Sequence, residues 1–270
     1  MGPAVETDFC GDDVLGYVRN RTHFRSGRGL ELDELYRLAH LPLLAPDHPD
    51  VITSRPDKSY SMGRHPPVFS LVMPLSPTAL SESLAYRSLE AEIRASSFSG
   101  KIAWDLLKRR RMKLHATICS SLAVEKPPIL EETVRHELRH LGPIRIQLRG
   151  LFSGNINIGR LYLKVHPECR DGQNMLHRVQ RAMNRPETDI YPIGVFNLTE
   201  HLLTSEAADL CLLLDRWWDR SIAELTVDEL WLLGATDDLV LDSRIAEVVP
   251  LTMASSRFPG DPTDAPGQKE

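Results

Sequence analysis

The sequence predicts an α+β domain on three observations. Strands alternate with helices from Val68 onward, residues 113–119 alternate strictly between polar and apolar, and residues 130–141 carry an apolar stripe at helical spacing. Taken in order, residues 1–66 form an extension broken by Arg25–Gly29 and Leu44–Asp50, which are rich in glycine, proline and charge. Its one expected helix runs from Glu31 to His40, where Leu32, Leu35, Tyr36 and Leu38 would bury one side as an accessory packing element. The main domain is expected over 67–252, opening with a strand from Val68 to Leu75. A helix over Pro77–Ala95 follows, with Ser76 as its cap and Pro77 in its first turn. The tail over 253–270, rich in Pro, Gly, Asp and Ser, has too little apolar surface to bury and is expected to be disordered.

With 270 residues and 42% hydrophobic content the chain can bury a substantial core. No run of about 18 apolar residues exists, and the first residues carry neither the basic start nor the apolar stretch of a signal peptide, so a soluble cytoplasmic protein without a membrane partner is expected. The four cysteines, Cys10, Cys119, Cys169 and Cys211, are widely spaced, which suggests neither a disulfide framework nor a cysteine zinc site. A net charge of −5 argues against coating nucleic acid through bulk electrostatics. The densest basic stretch is local, Lys108 to Lys113, directly before the alternating strand.

Residues 136–140 read His-Glu-Leu-Arg-His, a spacing that on a helix can set two imidazoles on zinc with Glu137 as general base. The helix's apolar stripe, Leu130, Val134, Leu138 and Leu141, points away from His136 and His140. Gly142 and Pro143 end the helix at once, and Arg139 would put a charge in the wall of a zinc cleft. We therefore expect no metal and no cofactor, and keep a zinc hydrolase only as the weakest alternative.

In the strand 113–119, His115 and Thr117 share one face while Leu114, Ala116 and Ile118 share the other. Tyr191–Leu198 has the same shape, with Ile193 and Val195 standing where the first segment has His115 and Thr117. The pair resembles the two-histidine phosphoesterase family, which includes RNA 2',3'-cyclic phosphodiesterases and 2'-5' RNA ligases and carries two H-x-T motifs on pseudo-symmetric strands. The likeness covers Val68 to Leu251. Pro192 stands where the family commonly has proline before its second His. The order of elements also agrees: a helix over Leu130–Leu141, a hairpin of 144–152 and 158–165, a helix over 174–183, then a strand over 225–233 and a last one ending near Val248. The resemblance implies a bilobal fold of two pseudo-symmetric antiparallel sheets with flanking helices around a central cleft.

It also implies a chemistry. One His acts as general base and the other as general acid on a cyclic phosphate, because charge develops on the leaving oxygen while water loses a proton and imidazole titrates near neutrality. His115 and Thr117 fit the first motif. Ile193 and Val195 can neither shuttle a proton nor donate a hydrogen bond. Losing one such group typically costs about 10²- to 10⁴-fold in rate. Near the degenerate motif, Asn197 and Thr199 share the strand face of Ile193, and His201 is the residue able to substitute for the missing proton carrier. Arg111 and Lys113 are the expected phosphate-binding cations. The expected partner is an RNA end or small nucleotide, met by a monomer, either as an impaired phosphodiesterase or ligase or as a non-catalytic binder on the same fold.

Overall fold

The computed structural model describes residues 8–252, so the expected disordered tail lies outside the described residues. The fold is α+β with antiparallel sheets, one of them curled into a half-barrel. The extension carries α1 (Glu34–Ala39) and α2 (Leu41–Leu44), then the short strands β1 (Ser54–Arg55) and β2 (Lys58–Ser61). β3 (Arg64–Pro74) leads through α3 (Ala79–Glu82), α4 (Leu84–Ala95) and α5 (Trp104–Arg110) into β4 (His115–Val124). Next come α6 (Glu132–Leu141), the hairpin of β5 (Ile144–Ser153) and β6 (Arg160–Pro167), the two-residue strands β7 (Cys169–Arg170) and β8 (Gln173–Asn174), and α7 (Met175–Ala182). β9 (Ile193–Asn197), α8 (Thr204–Trp217), β10 (Ser221–Val227), β11 (Glu229–Asp237) and β12 (Ser243–Pro250) complete the chain.

One sheet has the order β1-β2-β3-β11-β12, with β4 also on β3; the other has the order β10-β5-β6-β9. The run expected as a single strand over 225–233 is two strands in two sheets. Leu225 pairs with Ile146 on β5, Trp231 pairs with Val72 on β3, and the switch falls at Asp228, whose carbonyl accepts from the amide of Leu251. The helix expected over Pro77–Ala95 is likewise two helices. Ser83 leaves the helical region (ψ 120°) and its Oγ accepts from the Tyr86 amide at 3.0 Å, restarting the helix as its N-cap. The extension's helix starts three residues later than expected, because Asp33 caps it through the Tyr36 amide at 2.8 Å.

Among the described residues one large core joins the extension to the rest, beside a small second cluster of Val72, Leu233 and Val240. Tyr17, Leu32, Tyr36 and Leu41 of the extension belong to the same buried cluster as Leu71, Met73, Ile118, Ile146, Leu163, Ile193 and Trp217. β3 starts at Arg64 and runs straight through the expected boundary at 66/67. The extension covers the polar face of β6, where Arg160, Tyr162, Lys164 and His166 alternate with Leu161, Leu163 and Val165. Lys164 is buried yet bonded to Asp12 at 2.9 Å and stacked on Trp218 at 3.9 Å, and His166 Nδ1 meets the Cys10 carbonyl at 2.8 Å.

Candidate functional site

β4 and β9 are packed neighbours at the meeting of the two sheets, with α5 against β9 and α7 against β4. On β4 the alternation is as the sequence implies: Leu114, Ala116 and Ile118 are buried, while His115 and Thr117 are half-buried. His115 Nδ1 lies 2.7 Å from the Lys113 carbonyl, and since a carbonyl only accepts, that nitrogen carries the proton. Nε2 of the neutral ring is then a free acceptor, the form a general base needs. Burial, opposed by that hydrogen bond and reinforced by Arg110 and Arg160, pushes the imidazole down to about 4. On the neighbouring β9, Ile193 and Val195 are buried in the core. Ile193 pairs with Leu163 and shares the apolar face of β6.

Two groups that the sequence reading missed, Arg110 and Arg160, act on His115, and a third, His40, lies near both arginines. Arg110, the last residue of α5, is buried and donates Nη1 to the Gly194 carbonyl at 3.1 Å. Arg160 donates Nη1 to the Asp238 carbonyl at 3.1 Å and lies 5.4 Å from the Tyr162 ring. Gly194 makes room for it, because a Cβ there would stand 2.2 Å from Arg160 Nε. His40, at the junction of α1 and α2, is fully buried with neither ring nitrogen bonded. Burial, helped by Arg160, pushes it down to about 3. The alternation of β6 was the signal for Arg160; nothing in the local sequence marks His40.

The other expected residues have different partners. Arg111 is exposed, donates Nε to the Pro77 carbonyl at 3.3 Å and lines a separate cavity of about 360 Å³ with Tyr86, Trp104 and Leu107. Lys113 Nζ donates to the Ser243 carbonyl at 3.1 Å. His201 is bonded at both nitrogens, accepting the Leu32 amide at Nδ1 (2.9 Å) and meeting Asp50 through Nε2 (2.6 Å), so it clamps the extension down. Asn197 donates to the Tyr36 hydroxyl, and Thr199 donates to the Lys101 carbonyl. Of these five only Lys113 bonds to His115, through its backbone carbonyl and not its ammonium group.

Compared with known proteins, the chain matches no family model and no curated sequence. Its site must therefore be read from its own chemistry. On α6, His136 and His140 face outward and line a cavity of about 430 Å³ with Glu137, Arg178 and Arg181. His140 Nδ1 donates back to the His136 carbonyl at 2.7 Å. Among the described residues, no group of three or more His, Cys, Asp or Glu is arranged to hold a metal ion. No helix among the described residues is long and apolar enough to cross a membrane.

Three desolvated histidines set a pH dependence. His40, His115 and His166 all have depressed values, about 3, 4 and 4, against 6.5 in the unfolded chain. Between those values the unfolded state binds more protons, so stability falls as pH drops from about 6.5 towards 4. His65, raised by its bond to Asp238, works in the opposite sense. We expect the urea midpoint to be lower at pH 5 than at pH 7; an unchanged or higher midpoint would mean these imidazoles are hydrated.

Proposed function

We propose that this chain is a two-histidine phosphoesterase-like protein that engages the phosphate of an RNA end or nucleotide through His115 and Thr117, with turnover weakened by loss of the second motif. The bilobal arrangement of that family belongs to the same proposal. The observation that carries it is the His115 ring. Its proton is fixed on Nδ1 by the Lys113 carbonyl, its Nε2 is free, and it sits on the strand next to β9, where the family has its second motif. Two antiparallel sheets meeting at those strands support the same reading. The apolar burial of Ile193 and Val195 favours binding over turnover, since no proton donor stands on β9 at those positions.

We expect weak hydrolysis of 2',3'-cyclic nucleotides by the purified chain, falling at least about 10²-fold in His115→Ala. Nucleotide affinity should fall by less than turnover does. Robust turnover that is indifferent to His115→Ala would sink the proposal. Ile193→His is expected to destabilise the fold rather than restore the motif, because it would place a polar ring in a sealed apolar core.

A further inference from the structure

Arg110 and Arg160 meet at one residue. Gly194 accepts from Arg110 through its carbonyl and lies under Arg160 Nε through its bare Cα. Each guanidinium has five N–H donors and makes one hydrogen bond, to a neutral backbone carbonyl. The Nε of each is buried without a partner. Among the described residues neither forms an ion pair. The nearest acids are otherwise engaged: Asp237 accepts the amides of Leu241 and Asp242, and Asp238 holds Tyr60 and His65. Around the pair stand further unmet groups, both nitrogens of His40 and Oδ1 of Asn197. A buried cation is tolerated when it is paired and hydrogen-bonded, and two adjacent unpaired ones repel. Planar guanidinium forks meeting at one point are the geometry that takes a tetrahedral oxyanion by several charge-assisted bonds.

We infer that Arg110 and Arg160 form an oxyanion site beside His115 that takes a phosphate group. His115 and Arg160 are half-buried, whereas Arg110 and the neighbouring Tyr36 and His40 of the extension are buried. It deepens the phosphate reading above and rests on it only for what carries the phosphate, whether free in solution or the end of a nucleotide. A bound dianion offsets the repulsion between the guanidiniums and favours protonation of His115, so occupancy and imidazole charge rise together.

The full chain, prepared in phosphate-free buffer, is titrated with inorganic phosphate and separately with a nucleoside 2'-phosphate, following calorimetric heat and thermal midpoint. Saturable binding of phosphate is expected, with affinity reduced at least about tenfold in Arg160→Gln and unchanged in Lys126→Gln. A second readout uses the wild type alone: the imidazole nitrogen signals of His115 should titrate at higher pH when phosphate is present. No phosphate binding at tens of millimolar, binding undiminished in a folded Arg160→Gln, or an unmoved His115 titration would each overturn the inference. Arg160-dependent phosphate binding without nucleotide affinity or turnover would leave this site standing and remove the proposed function. Turnover that needs His115 but ignores Arg160→Gln would do the reverse.

Discussion

Gly150→Ala should leave little or no folded protein, a loss of about 3–5 kcal/mol or more. Gly150 is the bulge residue of β5, where the register with β6 shifts between Arg149 and Leu151, and its φ is +68°. A left-handed backbone alone would make alanine strained. The larger obstacle is steric: a Cβ would lie 2.0 Å from the Trp218 carbonyl oxygen and 2.9 Å from that of Trp217. Both are backbone atoms at the end of α8, so no side chain can swing away. Relief requires α8 to part from the sheet, and Trp217, buried in the core, holds it there. Circular dichroism and urea unfolding of the variant test this; a stability within about 1 kcal/mol of wild type would contradict the close approach of α8 to β5.

Tyr17→Phe is the second large effect, and it removes one oxygen atom. The buried Tyr17 hydroxyl donates to the Val165 carbonyl at 3.0 Å and accepts the amides of Val165 at 2.9 Å and Tyr191 at 3.2 Å. β9 pairs with β6 only as far as Leu163, so at Val165 the tyrosine stands in for the missing strand neighbour. Phenylalanine fills the same space but strands two amides and a carbonyl, at about 1–3 kcal/mol for each group left unsatisfied. We expect a loss of about 3 kcal/mol or more, read from the urea midpoint. A neutral result would mean that water replaces the hydroxyl and that the extension is loosely seated.

Local patterns made the strand at His115, the helix of the His-Glu-Leu-Arg-His segment and the hairpin of β5 and β6 legible, because each depends on side-chain periodicity within a few residues. The split at Asp228 was not legible, since two strands joined by one residue read as a single strand until their partners are known. Ser83 was lost inside a long helical pattern for a similar reason: its side chain decides the break only once it reaches the Tyr86 amide. The site is harder still. Arg111 and Lys113 lie in the basic stretch and were natural phosphate ligands, yet Arg110 between the same neighbours is the one buried against Gly194. A single position along α5 and the turn after it changes the direction of a side chain by about 100°. The polar face of β6 reads as solvent-facing by alternation. The segment that covers it comes from more than 140 residues away, as the Tyr17 and Lys164 contacts show.

Those separations govern the order of assembly. Tyr17 finds Val165 across 148 residues, Lys164 finds Asp12 across 152, and Tyr36 finds Leu198 across 162. Closing such loops is entropically costly until the β5–β6 hairpin and β9 exist to receive them. During synthesis the extension leaves the ribosome before the strands that receive it, carrying Tyr17, Leu32 and Tyr36 uncovered until β5, β6 and β9 are made. The segment that packs over the candidate site thus waits for most of the domain to be synthesised.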